Sequence, residues 1–158
     1  MTADRHNLQR FLDAQSGVYA TVLRELRQGR KQTHWMWFVF PQLEGLGHSA
    51  MARNYAISSL DEARAYLVHP VLGERLQECT RLVIHVEGRS IEGIFGHPDF
   101  LKFHSSMTLF SKAAAEEGEA AEGGEAAEKR LAAEKGVFDA ALAKYFASRM
   151  DRGTLDHL

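Results

Sequence analysis

An aromatic segment in the first third of the chain has the residue types of a ligand-binding wall. Trp35 and Trp37 could stack against a base or a sugar, and they belong to the run HWMWFVFPQ, which begins at His34. His34 and Gln42 bracket this apolar run with polar groups, as is common in ligand pockets. Because an imidazole titrates near neutral pH, His34 is the first candidate for a general acid or base. The alternative is that both tryptophans are core residues and His34 is structural.

A second group of polar residues follows Pro98. Asp99, Lys102 and Ser106 are three and four residues apart, so a helix would present them on one face. Ser105 stands beside them. A lysine next to a carboxylate can hold a phosphate, a lysine next to a serine can support nucleophilic chemistry, and Asp99 is a second acid–base candidate. The structural alternative is that Asp99 interacts with the helix dipole and the serines pack against a neighbouring helix.

The glycine-rich segment between these two groups could bind an anion. Gly45 and Gly47 precede Ser49, which is a good N-cap for a helix from Ala50 to about Ile57. Backbone N–H groups at a helix start attract anions, and Arg53, one turn into the helix, could clamp a phosphate. The pattern matches neither a P-loop nor a dinucleotide fingerprint, so a tight turn with a surface arginine is the alternative.

Metal and thiol chemistry find little support in the sequence. His97 and His104 form neither a His-x-x-x-His nor a Cys-x-x-Cys pattern, so we predict no metal site and no cofactor. Cys79, the single cysteine, continues an apolar helical stripe and is predicted to be a core thiol. A lone cysteine cannot form an internal disulfide, which is typical of a reducing cytosol and predicts a cytoplasmic protein.

Helical periodicity accounts for the segments that must position these residues. The longest apolar stripe, from Pro70 to Gly88, predicts the central helix, and the last helix is predicted from Val137 to Met150. We favour a short buried helix or turn for the aromatic run, although the alternation of Trp35, Trp37 and Val39 is also typical of a strand. The fold class is therefore all-α, a compact multihelical single domain with about seven or eight short helices around a buried central helix. The predicted boundary residues are the stops Gly17, Gly29, Pro41 and Gly96, the caps Ser49, Ser59, Ser90 and Thr154, and the starts Pro70 and Pro98.

Residues 113–136 differ in composition from the rest of the chain. This stretch is rich in alanine, glutamate and glycine, and Leu131 is its only large apolar residue. Glu–Ala composition favours helix, but several glycines interrupt it. We therefore predict an acidic insertion, part disordered and part frayed helix, within one domain spanning residues 1–158. The alternative is an acidic arm that binds a partner.

Composition and charge argue against two classes of partner. The chain has 158 residues with 19 basic and 21 acidic side chains, so its net charge of -2 gives no overall basic footprint for nucleic acid. The basic cluster at residues 24–31 is expected at a solvated helix end. No apolar run approaches the roughly 18 residues that suggest a membrane span. We expect neither a nucleic-acid nor a membrane partner.

Several longer motifs together resemble a known protein family. They are the aromatic run, the Gly45–Gly47 segment, the sequence IFG ending at Gly96 and the sequence SSMTLF beginning at Ser105. The resemblance covers Leu8 to Leu155. The family is a mainly bacterial domain of unknown function, number 1810, and some members are labelled calpastatin. It implies a compact multihelical fold with a buried central helix and no established activity. Calpastatin-type inhibitors resemble long disordered chains, so this label adds no functional expectation for a sequence with a dense aromatic run.

Two functional hypotheses follow from these residues. In the first, the aromatic run, the glycine segment and the face from Asp99 to Ser106 enclose a site for a small anionic ligand, either a nucleotide or a phosphorylated sugar. Arg53 and Lys102 would hold its charge, and any reaction would be hydrolytic, with His34 or Asp99 as the acid–base group. In the second, the chain is a non-catalytic protein-interaction module. The first hypothesis predicts that these groups converge on one open cleft, and the second predicts that they are dispersed or buried in pairs.

Overall fold

The N-terminal apolar stripe forms two helices separated by a glycine. The computed structural model describes residues 4–115 and 124–158. Helix α1 spans Gln9–Gln15 and helix α2 spans Tyr19–Arg27. Gly17 lies between them with a φ of 81°, a left-handed conformation that glycine adopts without steric cost. The predicted break at this residue is confirmed.

The aromatic run forms a single buried helical turn, as predicted. Helix α3 spans Met36–Val39, and helix α4 spans Ala50–Asn54. The chain after α4 pairs with the segment before it. The Glu44 N–H donates to the Ile57 carbonyl over 2.8 Å, and the Ile57 N–H donates to the Gln42 carbonyl over 2.9 Å. This bridge holds Ile57 in extended backbone, which explains why α4 ends at Asn54 and not near Ile57 as predicted.

Serine side chains cap α4 and the helix that follows it. Helix α5 spans Leu60–Val68. The hydroxyls of Ser49 and Ser59 each accept a hydrogen bond from the backbone N–H three residues ahead, which satisfies one of the free donors of a helix start. Both predicted caps are confirmed. The Glu62 carboxylate accepts from the Ser58 N–H over 3.0 Å, so it does not complete a capping box with Ser59.

A histidine supports the start of the next helix. Helix α6 spans Leu72–His85, and Nδ1 of His69 accepts hydrogen bonds from the N–H groups of Val71 and Leu72, over 3.1 and 3.2 Å. Pro70 lies before the helix, so the prediction that it begins the helix is wrong. Burial lowers the pKa of His69, which favours the neutral imidazole that these two bonds require.

The most deeply buried helix is α8, which spans Asp99–Ala115. It follows helix α7, Ile91–Phe95, which Ser90 caps and Gly96 ends with a φ of 78°. The middle of α8 is buried on all sides because α5, α7 and two later helices pack around it. Helix α6 buries one stripe and leaves the other face exposed. The central position therefore belongs to α8, and not to the stretch from 70 to 88 as predicted.

Helix α9 is longer than predicted. It spans Gly124–Phe146, so it begins inside the 113–136 stretch instead of at Val137. The side chain of Leu131 is 3% exposed, so this early part of the helix packs on the core. Residues 116–123 lie outside the described residues.

Helix α10, Arg152–His157, is tied to α8 by an aspartate. Oδ2 of Asp151 accepts from the Thr154 N–H over 3.1 Å and from the Ser105 hydroxyl over 2.8 Å. Burial would raise the pKa of Asp151, but these bonds outweigh it and lower the pKa. The prediction that Thr154 caps this turn is wrong, because Asp151 caps it.

Aromatic side chains from distant helices form the centre of the core. The rings of Phe95 and Phe103 stack with centroids 4.9 Å apart, and Phe40 meets Phe103 edge-on at 5.1 Å. Tyr66 meets Phe11 edge-on, also at 5.1 Å. The ten helices of the described residues confirm the all-α fold class. They exceed the predicted seven or eight. None of these helices is both long and apolar enough to cross a membrane.

Candidate functional site

Two lysines from distant parts of the chain share the carboxylate of Asp99. Nζ of Lys31 lies 2.8 Å from Oδ2, and Nζ of Lys102 lies 3.4 Å from Oδ1. Lys102 reaches Asp99 from the next turn of α8, whereas Lys31 is positioned by its backbone N–H, which donates to the Ile94 carbonyl over 2.7 Å. Two ammonium groups beside one carboxylate leave one positive charge in excess.

Each of these lysines also lies over a tryptophan ring. Nζ of Lys102 is 5.0 Å from the ring centroid of Trp37, and Nζ of Lys31 is 5.2 Å from that of Trp35. A cation within about 6 Å of an indole centroid is attracted by the negative face of the ring. Lys31, Trp37, Asp99 and Lys102 are called the lysine–tryptophan cluster below. The prediction that Lys31 lies at a solvated helix end is wrong, because its side chain is 7% exposed and paired with Asp99, a partner far along the chain that leaves no local pattern.

Trp35 belongs to the core. Its side chain is 1% exposed, and its indole Nε1 donates to Oε1 of Glu25 over 3.0 Å. Glu25 also accepts from the N–H groups of Gln32 and Thr33, over 2.7 and 3.0 Å. Burial alone would raise the pKa of Glu25, but these hydrogen bonds outweigh it and lower the pKa to about 2. This packing leaves no face of Trp35 open to a ligand.

His34 and Gln42 flank α3 on its two sides. His34 is exposed and Gln42 is half-buried. The backbone carbonyl of Gln42 belongs to the bridge with Ile57. Within the part of the chain that the structure describes, no side-chain hydrogen bond or ion pair joins either residue to the lysine–tryptophan cluster.

The glycine segment packs against other parts of the fold. A methyl group on Gly45 would lie 2.8 Å from Cδ2 of His157, and one on Gly47 would lie 2.6 Å from Cβ of Ala52. Packing against Cβ of Ala52 requires the small size of Gly47, whereas the exposed His157 ring beside Gly45 can move aside. Arg53 is exposed on the five-residue α4, and over residues 4–115 and 124–158 its side chain makes no hydrogen bond or ion pair.

The two predicted serines of α8 lie on its buried side. The Ser105 hydroxyl donates to Asp151, as described above. The Ser106 side chain is 0% exposed, and its hydroxyl has no hydrogen-bond partner among the described residues. Of the predicted face, Asp99 and Lys102 therefore reach the lysine–tryptophan cluster, and the serines do not. Among the described residues, the groups of the first hypothesis do not all meet in one cleft: contacts join Trp37, Asp99 and Lys102, whereas Trp35 is enclosed in the core.

Sequence reasoning missed a groove of about 440 Å³ between α6 and α9. In its wall, the Glu134 side chain is 2% exposed. Oε1 of Glu134 accepts from Nε of Arg130 over 3.0 Å, while Oε2 is buried without a hydrogen-bond partner among the described residues. Burial raises the pKa of Glu134, and Arg130 opposes this only in part. No local pattern marked the groove, because half of it comes from the alanine-rich stretch. The lining residues are Glu74, Gln77, Glu78, Arg81, Arg130, Ala133 and Glu134.

Cys79 is a core thiol, as predicted. Its side chain is 0% exposed, and burial raises the pKa of the thiol to about 12. A thiol that stays protonated at neutral pH is a poor nucleophile. Among the described residues, no group of three or more His, Cys, Asp or Glu side chains is arranged to hold a metal ion.

The helical architecture places the chain among small all-α domains. The chain belongs to the family described as "Protein of unknown function (DUF1810)", whose model matches residues 5–123. It is similar to the conserved hypothetical protein Rv1873 from Mycobacterium tuberculosis. The two sequences are 52% identical, and the match covers 98% of each chain. The crystal structure of that protein superposes on this one with a TM-score of 0.82. No curated protein matches the sequence. The family resemblance predicted from the motifs is confirmed.

Proposed function

We propose that this protein binds a small anionic ligand, a nucleotide or a phosphorylated sugar, at the lysine–tryptophan cluster. One observation supports this assignment above the others: Asp99 is shared between two ammonium groups, so one positive charge remains in excess. The side chains of Lys31, Asp99 and Lys102 are 7%, 20% and 24% exposed. A partly buried charge attracts an anion more strongly than a fully solvated one, because water and salt screen it less.

Lys102 is the residue proposed to contact the anion. Its side chain is 24% exposed and that of Lys31 is 7% exposed, so Lys31 neutralises Asp99 and Lys102 remains accessible. An ammonium group has three donors, so Lys102 can bind Asp99 and a phosphate together. The half-buried indole of Trp37 offers apolar surface for a base or sugar ring.

The proposed activity is binding and not hydrolysis. Both carboxylate oxygens of Asp99 are occupied by ammonium groups, so Asp99 positions the two lysines instead of moving a proton. His34 is exposed, and no hydrogen bond among the described residues orients its ring. A general acid or base needs to be held within hydrogen-bond reach of the proton that it transfers.

Isothermal titration calorimetry with AMP and a hexose phosphate tests this function. Adenosine and the free hexose are the uncharged controls. We expect saturable binding of at least one phosphorylated compound, and weaker binding at higher salt. Lys102→Gln removes the ammonium group and is expected to reduce the affinity. Lys112→Gln is the matched control, because Lys112 is exposed on the same helix.

Two results would contradict the proposed function. One is the absence of saturable heat with both phosphorylated compounds. The other is an unchanged affinity in Lys102→Gln. Either would favour the alternative hypothesis, in which the domain binds a protein partner.

A further inference from the structure

One oxygen of the buried Glu134 carboxylate, Oε2, has no hydrogen-bond donor among the described residues. Its side chain is 2% exposed, and Arg130 satisfies only Oε1. A buried carboxylate oxygen without a hydrogen bond is costly, because the protein interior does not replace its lost hydration. A hydrogen-bond acceptor left unsatisfied in the wall of a groove indicates a donor from outside the chain.

The groove has room for an organic molecule. Its volume of about 440 Å³ lies within the range of roughly 300–1,000 Å³ that is typical of small-molecule sites. One water molecule occupies about 30 Å³, so a single water would fill only a small part of this space. The groove is therefore larger than the space needed by one water molecule bound to the Glu134 carboxylate.

The charges that line the groove favour a cation. Three glutamates face two arginines there, so one negative charge is in excess. Both arginines are already engaged, Arg130 with Glu134 and Arg81 with the Oε1 atom of Gln77 over 2.8 Å. Neither arginine reaches Oε2 of Glu134 in a hydrogen bond. The missing donor is therefore expected to carry a positive charge.

We propose that the groove between α6 and α9 binds a small organic cation whose primary ammonium group donates to Oε2 of Glu134. Glu74 and Glu78, which line the same groove and are exposed, face a second cationic group of the ligand. Diamines are the simplest molecules of this class. The site is independent of the lysine–tryptophan cluster, because it shares no residue with the cluster and selects the opposite charge.

Titration of the isotope-labelled protein with putrescine, followed by NMR of the backbone amides, tests this site. Butanediol is the uncharged control of equal length, and sodium chloride at matched ionic strength is the salt control. We expect saturable shifts at Gln77, Ala133 and Glu134 with putrescine, and none with either control. Because burial raises the pKa of Glu134, the affinity is expected to fall as acid protonates the carboxylate.

Three variants make this test specific. Glu134→Gln removes the charge with little change of shape and is expected to weaken putrescine binding about tenfold or more. Glu125→Gln makes the same substitution on the same helix at a position 84% exposed, and is expected to bind as the native protein does. Ala133→Leu fills the groove while keeping Glu134, so it is expected to abolish binding even if Glu134→Gln proves hard to fold.

Several outcomes would overturn the assignment. Shifts that do not saturate, or that spread over all acidic surface residues, would show general attraction of cations and no built site. An equal affinity for putrescine in Glu134→Gln and in the native protein would remove Glu134 from any ligand contact. Because phosphate compounds are absent from this experiment, its failure would leave the test of the lysine–tryptophan cluster unaffected.

Discussion

The indole N–H of Trp35 donates to the Glu25 carboxylate over 3.0 Å inside the core. This bond joins α2 to the start of α3, and Glu25 also holds two backbone N–H groups of the connecting turn. The same turn carries Lys31, whose Nζ lies 2.8 Å from Asp99. A buried carboxylate in one helix therefore positions a cation of the proposed anion site.

Glu25→Gln is expected to destabilise the protein in a pH-dependent way. The pKa of Glu25 falls from 4.5 to about 2 on folding, so its stabilising effect is present above pH 4.5 and is lost as the pH falls towards 2. A shift of this size corresponds to a free energy on the order of 3 kcal/mol near neutral pH. Urea unfolding followed by circular dichroism, near pH 7 and near pH 3, measures this difference. The exposed Glu44→Gln is the control, and equal stability losses in the two variants would contradict the prediction.

Trp37→Leu is expected to separate the two parts of the proposed ligand. Stacking of a base on an aromatic side chain contributes about 1–3 kcal/mol, so the variant is expected to lose about tenfold or more in affinity for AMP. Its affinity for inorganic phosphate should not change, because Lys102 keeps its ammonium group. Calorimetry with both ligands compares the two effects. If AMP and phosphate weaken to the same extent, the indole contributes no surface to the ligand.

His69→Asn is expected to reduce the acid sensitivity of the fold. The pKa of His69 is lowered from 6.5 in the folded protein, so the contribution of the neutral imidazole is complete above pH 6.5 and is lost as the pH falls through the lowered pKa. An asparagine oxygen can accept the same backbone hydrogen bonds without titrating. Thermal unfolding across this pH range should show a shallower decline in His69→Asn than in the exposed control His48→Asn. Parallel declines would mean that protonation of His69 does not break the cap.

Two glycine-to-alanine changes are expected to act in opposite directions. A methyl group on Gly73 would lie 2.0 Å from the Leu67 carbonyl oxygen, which is backbone and cannot move aside cheaply. Gly73→Ala should therefore lose about 3 kcal/mol in the free energy of unfolding. Gly136 lies in α9 with no atom within 4 Å of an added methyl group, so Gly136→Ala should gain about 1 kcal/mol from helix propensity. Urea unfolding measures both, and changes of the same sign would refute the close contact at Gly73.

Glu134→Gln is expected to stabilise the ligand-free protein at neutral pH. Because burial raises the pKa of Glu134 above 4.5, the folded state holds this proton more tightly than the unfolded state. The stability linked to that proton is present below pH 4.5 and is lost as the pH rises through the raised pKa. The variant should therefore match the native protein in acid and exceed it near pH 7, as measured by urea unfolding. A variant that is less stable near pH 7 would show that the ion pair with Arg130 outweighs the burial of the charge.

Local features of the fold were predictable because their causes are local. Ser49, Ser59 and Ser90 cap helices by bonding to N–H groups three residues away, and such spacings are visible in the sequence. The glycine break between α1 and α2 has an equally local cause. Histidine capping by His69 was missed because the sequence suggested a proline start at the next residue.

Long-range features of the candidate site were not predictable from spacing. Lys31 meets Asp99 because its backbone N–H bonds to Ile94 of α7, and α7 packs on α8, which carries Asp99. Glu134 is buried because the first half of α9 packs on α6, whereas its alanine-rich sequence is typical of a solvated segment. Asp99 and Lys102 were predicted together correctly since they lie one helical turn apart.

The contrast between the two tryptophans gives the protein two optical reporters. Trp35 is enclosed beside Glu25, whereas Trp37 is half-buried with the Lys102 ammonium over its ring. An enclosed indole emits at shorter wavelength and resists collisional quenchers, and it loses both properties only when the core opens. Trp37 is the indole that a quenching anion such as iodide can approach, drawn by the neighbouring ammonium group. Intrinsic fluorescence of the unlabelled chain can therefore report unfolding and occupation of the cluster as two separate signals.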